Sequence, residues 1–150
     1  MINLTVIKHE MTRLIKAHAT PGLVVAVHVF GSSLRSDFRD ASDIDLAFLV
    51  DEQSYKKDPF EATAPAHMIA AGIGVALGRE TDVLVLNSAS LEMAYEIITT
   101  GLCIFETDPD VRLEYEIKIK GMWFDFRPFI LKLRAKKLTQ LGHQRPCGQE

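Results

Sequence analysis

Leu23-Val24-Val25-Ala26-Val27-His28-Val29-Phe30 runs straight into Gly31-Ser32, and ten residues later Asp43-Ile44-Asp45 opens a second apolar run, Leu46 to Val50. The first run is continuous and rich in valine, the pattern of a strand buried on both faces. Side chains two apart on a strand share a face. The pattern from Asp43 to Val50 thus puts Asp43 and Asp45 together, with Ile44, Leu46, Phe48 and Val50 turned the other way, to the core.

Working outward, Leu4, Ile7, Met11, Leu14, Ile15 and His18 fall on one stripe and predict an amphipathic helix over about 3–18, stopped by Thr20-Pro21-Gly22. Asp51 to Pro59 is polar and reads as a loop. Ala, Ile, Met and Val dominate about 62–77, which predicts a helix despite Gly72 and Gly74. Thr81 to Leu86 reads as a third strand and Leu102 to Glu106 as a short fourth. Between them a helix capped by Ser88 or Ser90 runs to Thr100 and is closed by Gly101. Pro109, suited to a first helical turn, starts a last long helix that continues to about Leu138 with a kink before Pro128. Strands interleaved with helices make an α/β (α+β) domain. The expected division is a folded domain over 1–141 and a disordered tail over 142–150, which is polar and holds Gly142, Pro146 and Gly148.

The chain has 150 residues, 47% of them apolar and 25% charged, so one globular domain is expected. Its 17 Lys+Arg and 20 Asp+Glu leave a net charge of −3, which argues against a protein whose main task is coating nucleic acid. Two cysteines, Cys103 and Cys147, are too few for a disulfide framework or a four-thiolate zinc site. No run of about 18 uninterrupted apolar residues is present, and the N-terminus lacks a signal-peptide apolar region, so no membrane association and a cytoplasmic location are expected.

The paired carboxylates carry the chemistry. Asp43 and Asp45 stand about 6.6 Å apart along a strand, two rises of about 3.3 Å, and can bracket divalent ions. Two ions about 3.5–4 Å apart serve in-line displacement at phosphorus, and Mg²⁺ suits a few carboxylates together with phosphates. Gly31 lets backbone approach a phosphate, and Ser32 supplies a hydroxyl and N–H groups to bind it. Alone, Asp-x-Asp or Gly-Ser is common on loops. Apolar strand, Gly-Ser, ten-residue spacer, Asp-x-Asp and apolar strand together are far more specific.

That conjunction resembles the nucleotidyltransferases of the DNA polymerase β type in their minimal form, which implies a small mixed sheet with flanking helices. The resemblance implies a third carboxylate on a neighbouring strand, and Asp82 is the acidic residue of Thr81-Asp82-Val83-Leu84-Val85-Leu86. Asp82 to Glu106, DVLVLNSASLEMAYEIITTGLCIFE, and the segment Phe124-Asp125-Phe126-Arg127-Pro128-Phe129 are similar to the MntA-like antitoxins of HEPN/MNT toxin–antitoxin pairs. The likeness covers about residues 5–135. It implies a Mg²⁺-dependent protein adenylyltransferase that moves AMP from ATP to a tyrosine of a cognate HEPN ribonuclease toxin. Asp43, Asp45 and Asp82 would hold two Mg²⁺ ions, and Gly31, Ser32 and Arg35 the nucleotide. The family often carries alanine and glycine around that arginine; Leu34 and Ser36 stand here, a bulkier turn beside the phosphates. Two rival readings are a binding antitoxin that occludes the toxin without chemistry and an aminoglycoside-type nucleotidyltransferase. The second usually needs more chain to enclose its acceptor.

His9, His18, His28, His67 and His143 show no metal spacing, and His28 reads as a satisfied strand histidine. Trp123, Phe124, Phe126 and Phe129 either seal the core or dock a partner helix. Lys132, Arg134, Lys136 and Lys137 read as a solvated face that suits a helix C-terminus, with contact to RNA or an acidic partner as the alternative. Cys103 reads as a small buried strand residue.

Overall fold

The structure, a computed structural model, describes residues 2–35 and 42–143. The order is α1 (Leu4–His18), β1 (Val24–Phe30), a 3-10 turn (Gly31–Leu34), β2 (Ile44–Val50), α2 (Glu52–Lys57), α3 (Pro59–Leu77), β3 (Thr81–Val85), a second 3-10 turn (Leu86–Ser88), α4 (Leu91–Thr100), β4 (Leu102–Glu106) and α5 (Pro109–His143). The strands lie in the order β3-β2-β1-β4. β1 runs antiparallel to β2 and β4, and β2 runs parallel to β3, so the sheet is mixed.

Both faces of the sheet are covered, which is why β1 lacks alternation. Ile44, Leu46 and Phe48 pack with Ile7, Met11 and Leu14 of α1 and Ala66, Ile69 and Ile73 of α3. Ala47 and Leu49 face the other way, onto Ala94 and Ile97 of α4 and Ile119 of α5. A register shift between Val24 and Ala26 lets Val25 and Ala26 both serve this second core.

The expected strands and long helices are present, and two expectations are corrected. Glu52–Lys57, read as loop, forms α2. Its six residues show no apolar periodicity and none is buried; capping makes the helix. Asp51 accepts a hydrogen bond from the Ser54 N–H at 3.0 Å. Asp58 then caps α3, accepting from the Glu61 N–H at 3.1 Å with Pro59 in the first turn. By length and composition α3 is apolar enough to cross a membrane, with a mean hydropathy of 1.3. Here Ala62, Ala66, Ile69, Ala70 and Ile73 are buried in the domain. The last helix continues through Pro128 as far as His143. Gly142 and His143, assigned to the tail, therefore belong to α5; residues 144–150 of that tail lie outside the described residues, as do 36–41.

Gly72 marks the tightest helix contact. A Cβ there would lie 2.7 Å from Leu14 Cδ2 and 2.9 Å from Leu14 Cδ1. Gly72→Val should destabilise the fold by about 1–3 kcal/mol through overpacking. Because the two residues touch, adding Leu14→Ala should cost less than the sum of the single variants. Urea unfolding of the three variants checks this; strict additivity would mean the α1–α3 contact is not tight.

Candidate active site

The site forms where β1 ends and β2 and β3 begin. In the pairing register Phe30 faces Asp45 across β1–β2, and Asp45 faces Asp82 across β2–β3. Parallel partners point to the same side. Asp45 and Asp82 thus share the face that deeper in the sheet carries Ala47, Leu49 and Leu84. Strand alternation let Asp45 be read locally; only the β2–β3 pairing brings in Asp82, 37 residues further along the chain.

Gly31 makes the approach possible. Its φ is +70°, the left-handed region, and a Cβ on it would lie 2.6 Å from Asp45 Oδ2. The turn Gly31–Leu34 therefore closes directly over the Asp45 carboxylate. Asp43 sits just before β2, half-buried. Two backbone ties fix this corner: the Ser33 hydroxyl donates to the Asp43 carbonyl at 3.4 Å, and the Ile44 N–H donates to the Glu80 carbonyl at 2.9 Å. Ser33 is fully buried. Its positioning role was not read from the sequence, although it is the second serine of Gly-Ser-Ser.

The electrostatics match this convergence. Burial raises the Asp45 pKa above its ordinary value, and the charges of Asp82 and then Asp43 raise it further. Like charges at close range disfavour ionisation of one another. Among the described residues no three Asp, Glu, His or Cys side chains are closed around a single point. As donors the three carboxylates are oxygen-only and mutually repulsive, which suits a hard divalent cation. Ser32 is half-buried in the turn. Arg35 follows it, exposed, with its N–H bonded to the Ser32 carbonyl at 3.0 Å. Among the described residues the Arg35 guanidinium has no ion-pair partner.

His28 departs from its expected satisfied state. It is 3% exposed, with Nε2 3.8 Å from Glu116 Oε1, beyond hydrogen-bond length, and Nδ1 without a partner among the described residues. Burial holds its pKa below the usual value, against the pull of Glu116. Arg112 joins Glu116 to Glu106, tying α5 to β4. This group is 88 residues apart in sequence between His28 and Glu116, and no local pattern announces it. An open depression of about 570 Å³ lined by Gly74, Gly78, Arg79, Glu80 and Thr81 lies at the same sheet edge. Thr81 donates to the Ala70 carbonyl of α3 at 2.9 Å, so this depression belongs to the face opposite Asp82.

Residues 13–110 match the family model described as polymerase beta, nucleotidyltransferase. The chain belongs to that nucleotidyltransferase family. Its fold is similar to that of MntA-type antitoxin chains in solved structures. One is an MntA–HepT toxin–antitoxin variant in which two aspartates set two residues apart are replaced by glutamate, with TM-score 0.64, 18% identity, and coverage of 87% of this chain and 98% of that one. Another is a toxin–antitoxin with AMP-PNP, with TM-score 0.62, 20% identity, and coverage of 87% and 98%. A third is a tri-AMPylated Shewanella oneidensis HEPN toxin in complex with MNT antitoxin, with TM-score 0.62, 19% identity, and coverage of 90% and 98%. No curated protein matches this chain in sequence.

Gly31→Ala separates fold from site. The Asp45 side chain can swing away from the new methyl, so the fold should lose only about 1–2 kcal/mol, from the left-handed backbone. The displaced carboxylate should cost far more in activity than in stability. Thermal melts beside a turnover assay would show this; parallel small losses would mean the contact is unimportant.

A second expectation follows from Asp45. A carboxyl whose pKa rises on folding weakens the fold above its unfolded value and leaves it unaffected below. Asp45→Asn should therefore raise Tm at pH 7 in chelator, by about 1–3 °C for a partly solvated group. The gain should vanish as the pH falls below about 3.8. Calorimetry across that range tests it; a gain that persists at low pH would exclude charge repulsion.

Proposed function

We propose that this chain is the antitoxin of a HEPN-type toxin–antitoxin pair and transfers AMP from ATP to a tyrosine hydroxyl of the toxin, inactivating it. The observation that carries the reading is the convergence of Asp45 and Asp82 beneath the left-handed turn at Gly31. Support comes from the solved relatives: one holds AMP-PNP, one contains an AMPylated toxin, and one alters an aspartate pair spaced like Asp43 and Asp45.

In this reading Gly31 and Ser32 bind the β/γ-phosphates through N–H groups and the serine hydroxyl. Arg35 reaches the nucleotide from the end of the turn. Asp43, Asp45 and Asp82 would hold two Mg²⁺ ions, which when bound neutralise charge on the phosphates and make the acceptor hydroxyl more acidic. Asp82 stands farthest out on the sheet, at its edge strand, and orients the tyrosine hydroxyl and draws off its proton. The tyrosine oxygen forms a bond to the α-phosphorus as the bond to the pyrophosphate oxygen breaks, and pyrophosphate leaves. The protein contributes positioning and fixed charge more than covalent chemistry.

Two substitutions should divide these roles. Asp82→Ala should leave ATP binding close to wild type and lower transfer by orders of magnitude, because the tyrosine, with a pKa of about 10, loses its activation. Ser32→Ala should weaken ATP binding by about 1.5–3 kcal/mol per lost phosphate hydrogen bond, with a milder loss of maximal rate. Calorimetry with ATP and Mg²⁺ measures the first quantity. Mass spectrometry of the toxin, counting whole AMP additions, measures the second. A toxin inhibited without any gain in mass would replace this reading with occlusion by binding. Wild-type transfer by Asp82→Ala would remove Asp82 from the site.

A further inference from the structure

Beyond Trp123, α5 is largely exposed. Trp123 stacks on Tyr95 with ring centroids 4.8 Å apart, and Arg134 reaches back to Glu92 on α4. From Phe124 to Gly142 every described residue except Ile130 is exposed. Of the four aromatics weighed in the sequence, Trp123 stacks on Tyr95, Phe124 meets it edge-on at 6.5 Å while staying exposed, and Phe126 and Phe129 are exposed.

The exposed surface is patterned. Ile117, Phe124, Leu131 and Leu138 recur every seven residues, and Gly121, Pro128, Ala135 and Gly142 follow each by four. The large members are 69%, 65%, 50% and 69% exposed. At 3.6 residues per turn both series fall on one stripe. It lies largely away from Tyr115, Ile119 and Trp123, which face the domain, although Phe124 also meets Tyr95 of α4 edge-on with ring centroids 6.5 Å apart, and Phe126, Phe129 and Leu133 are exposed off this stripe. An apolar stripe of period seven is the seam of a coiled-coil pair, and a small residue beside each large one lets a second helix come close. A Cβ added at Gly121 or Gly142 would meet nothing within 4 Å, so no described residue fills the stripe at those two points.

Charge selects the occupant. Between Lys120 and Gly142 stand six cations, Lys120, Arg127, Lys132, Arg134, Lys136 and Lys137, of which Arg134 pairs with Glu92, and one carboxylate, Asp125; Glu114 and Glu116 stand at the Ile117 end. A second copy laid on this stripe would bring basic rim against basic rim. A helix with an apolar seam and Asp or Glu flanks would meet opposite charge along its length.

We infer that the Ile117–Leu138 stripe docks an amphipathic, acid-flanked helix of the toxin, separately from the site that modifies it. The identity of the partner rests on the function proposed above.

The test uses the full chain and the HEPN-domain protein encoded beside its gene. Phe124→Glu with Leu131→Glu should weaken that complex by at least ~100-fold in sedimentation or calorimetry. Both side chains are at least half exposed, so Tm should fall only slightly, through loss of the Phe124–Tyr95 edge contact, and ATP–Mg²⁺ binding should be unchanged. Lys120→Glu with Arg127→Glu serves as a second variant that spares the seam. It should also weaken the complex, and should flatten the fall of wild-type affinity with salt. If wild type modifies the toxin and both variants bind it as tightly as wild type, the docking face is wrong while the proposed function stands. If the wild-type chain self-associates and the Glu variant abolishes that, the occupant is a second copy and the inference is overturned. If wild type neither binds nor modifies the HEPN protein, or no such protein is encoded there, the proposed function fails and this inference with it.

Discussion

An ionisable carboxylate stands at the head of a central strand whose other residues are core. Asp45 opens β2 between Phe30 and Asp82, and from Leu46 onward β2 is buried on both faces. Holding it there needs a scaffold that does not yield, because burial and the two neighbouring charges all oppose its ionisation. The scaffold comes from the double cover of the sheet. α1 and α3 press Ile44, Leu46 and Phe48 from one side, while α4 and α5 press Ala47 and Leu49 from the other. Gly31 completes the constraint, since only a residue without Cβ leaves room for the Asp45 carboxylate under the turn.

Much of this was legible because it is local. The valine run, the Gly-Ser turn and the alternation after Asp43 are all written within one stretch of chain, and the strand and helix boundaries fall close to where the pattern puts them. What was missed lacks a local signature. α2 has no apolar face and exists through its caps at Asp51 and Asp58. The group of His28, Glu116, Arg112 and Glu106 is assembled by packing α5 across β1 and β4. The pairing of Asp82 with Asp45 depends on a parallel register that composition does not encode; a third carboxylate on a neighbouring strand is what the family resemblance implies.

α5 does two jobs along one helix. Its first half is held by Tyr115, whose hydroxyl donates to the Leu86 carbonyl at 3.1 Å, by Ile119 and by the stack of Trp123 on Tyr95. Its second half gains little from the domain. Pro128 also removes the donor that would have met the Phe124 carbonyl. Helices draw most of their stability from packing an apolar face, and among the described residues this half packs little beyond Phe124 on Tyr95 and the half-buried Ile130. The arrangement makes physical sense for a helix completed by another molecule.

The two functional features therefore carry opposite energetic signatures. At Asp45 the folded chain gathers like charges, so neutralising one relieves the fold. Along Ile117, Phe124, Leu131 and Leu138 the folded chain leaves apolar surface in water, so replacing it by polar residues costs the isolated fold little beyond the Phe124–Tyr95 edge contact. Neither feature serves the stability of the chain alone. Local departures from what the fold itself favours concentrate at functional sites. Here one departure is electrostatic and sits at the end of the sheet, the other is hydrophobic and sits along α5. Recognition of a partner and chemistry on it can then be altered independently, because no residue of the stripe contributes to the carboxylate cluster.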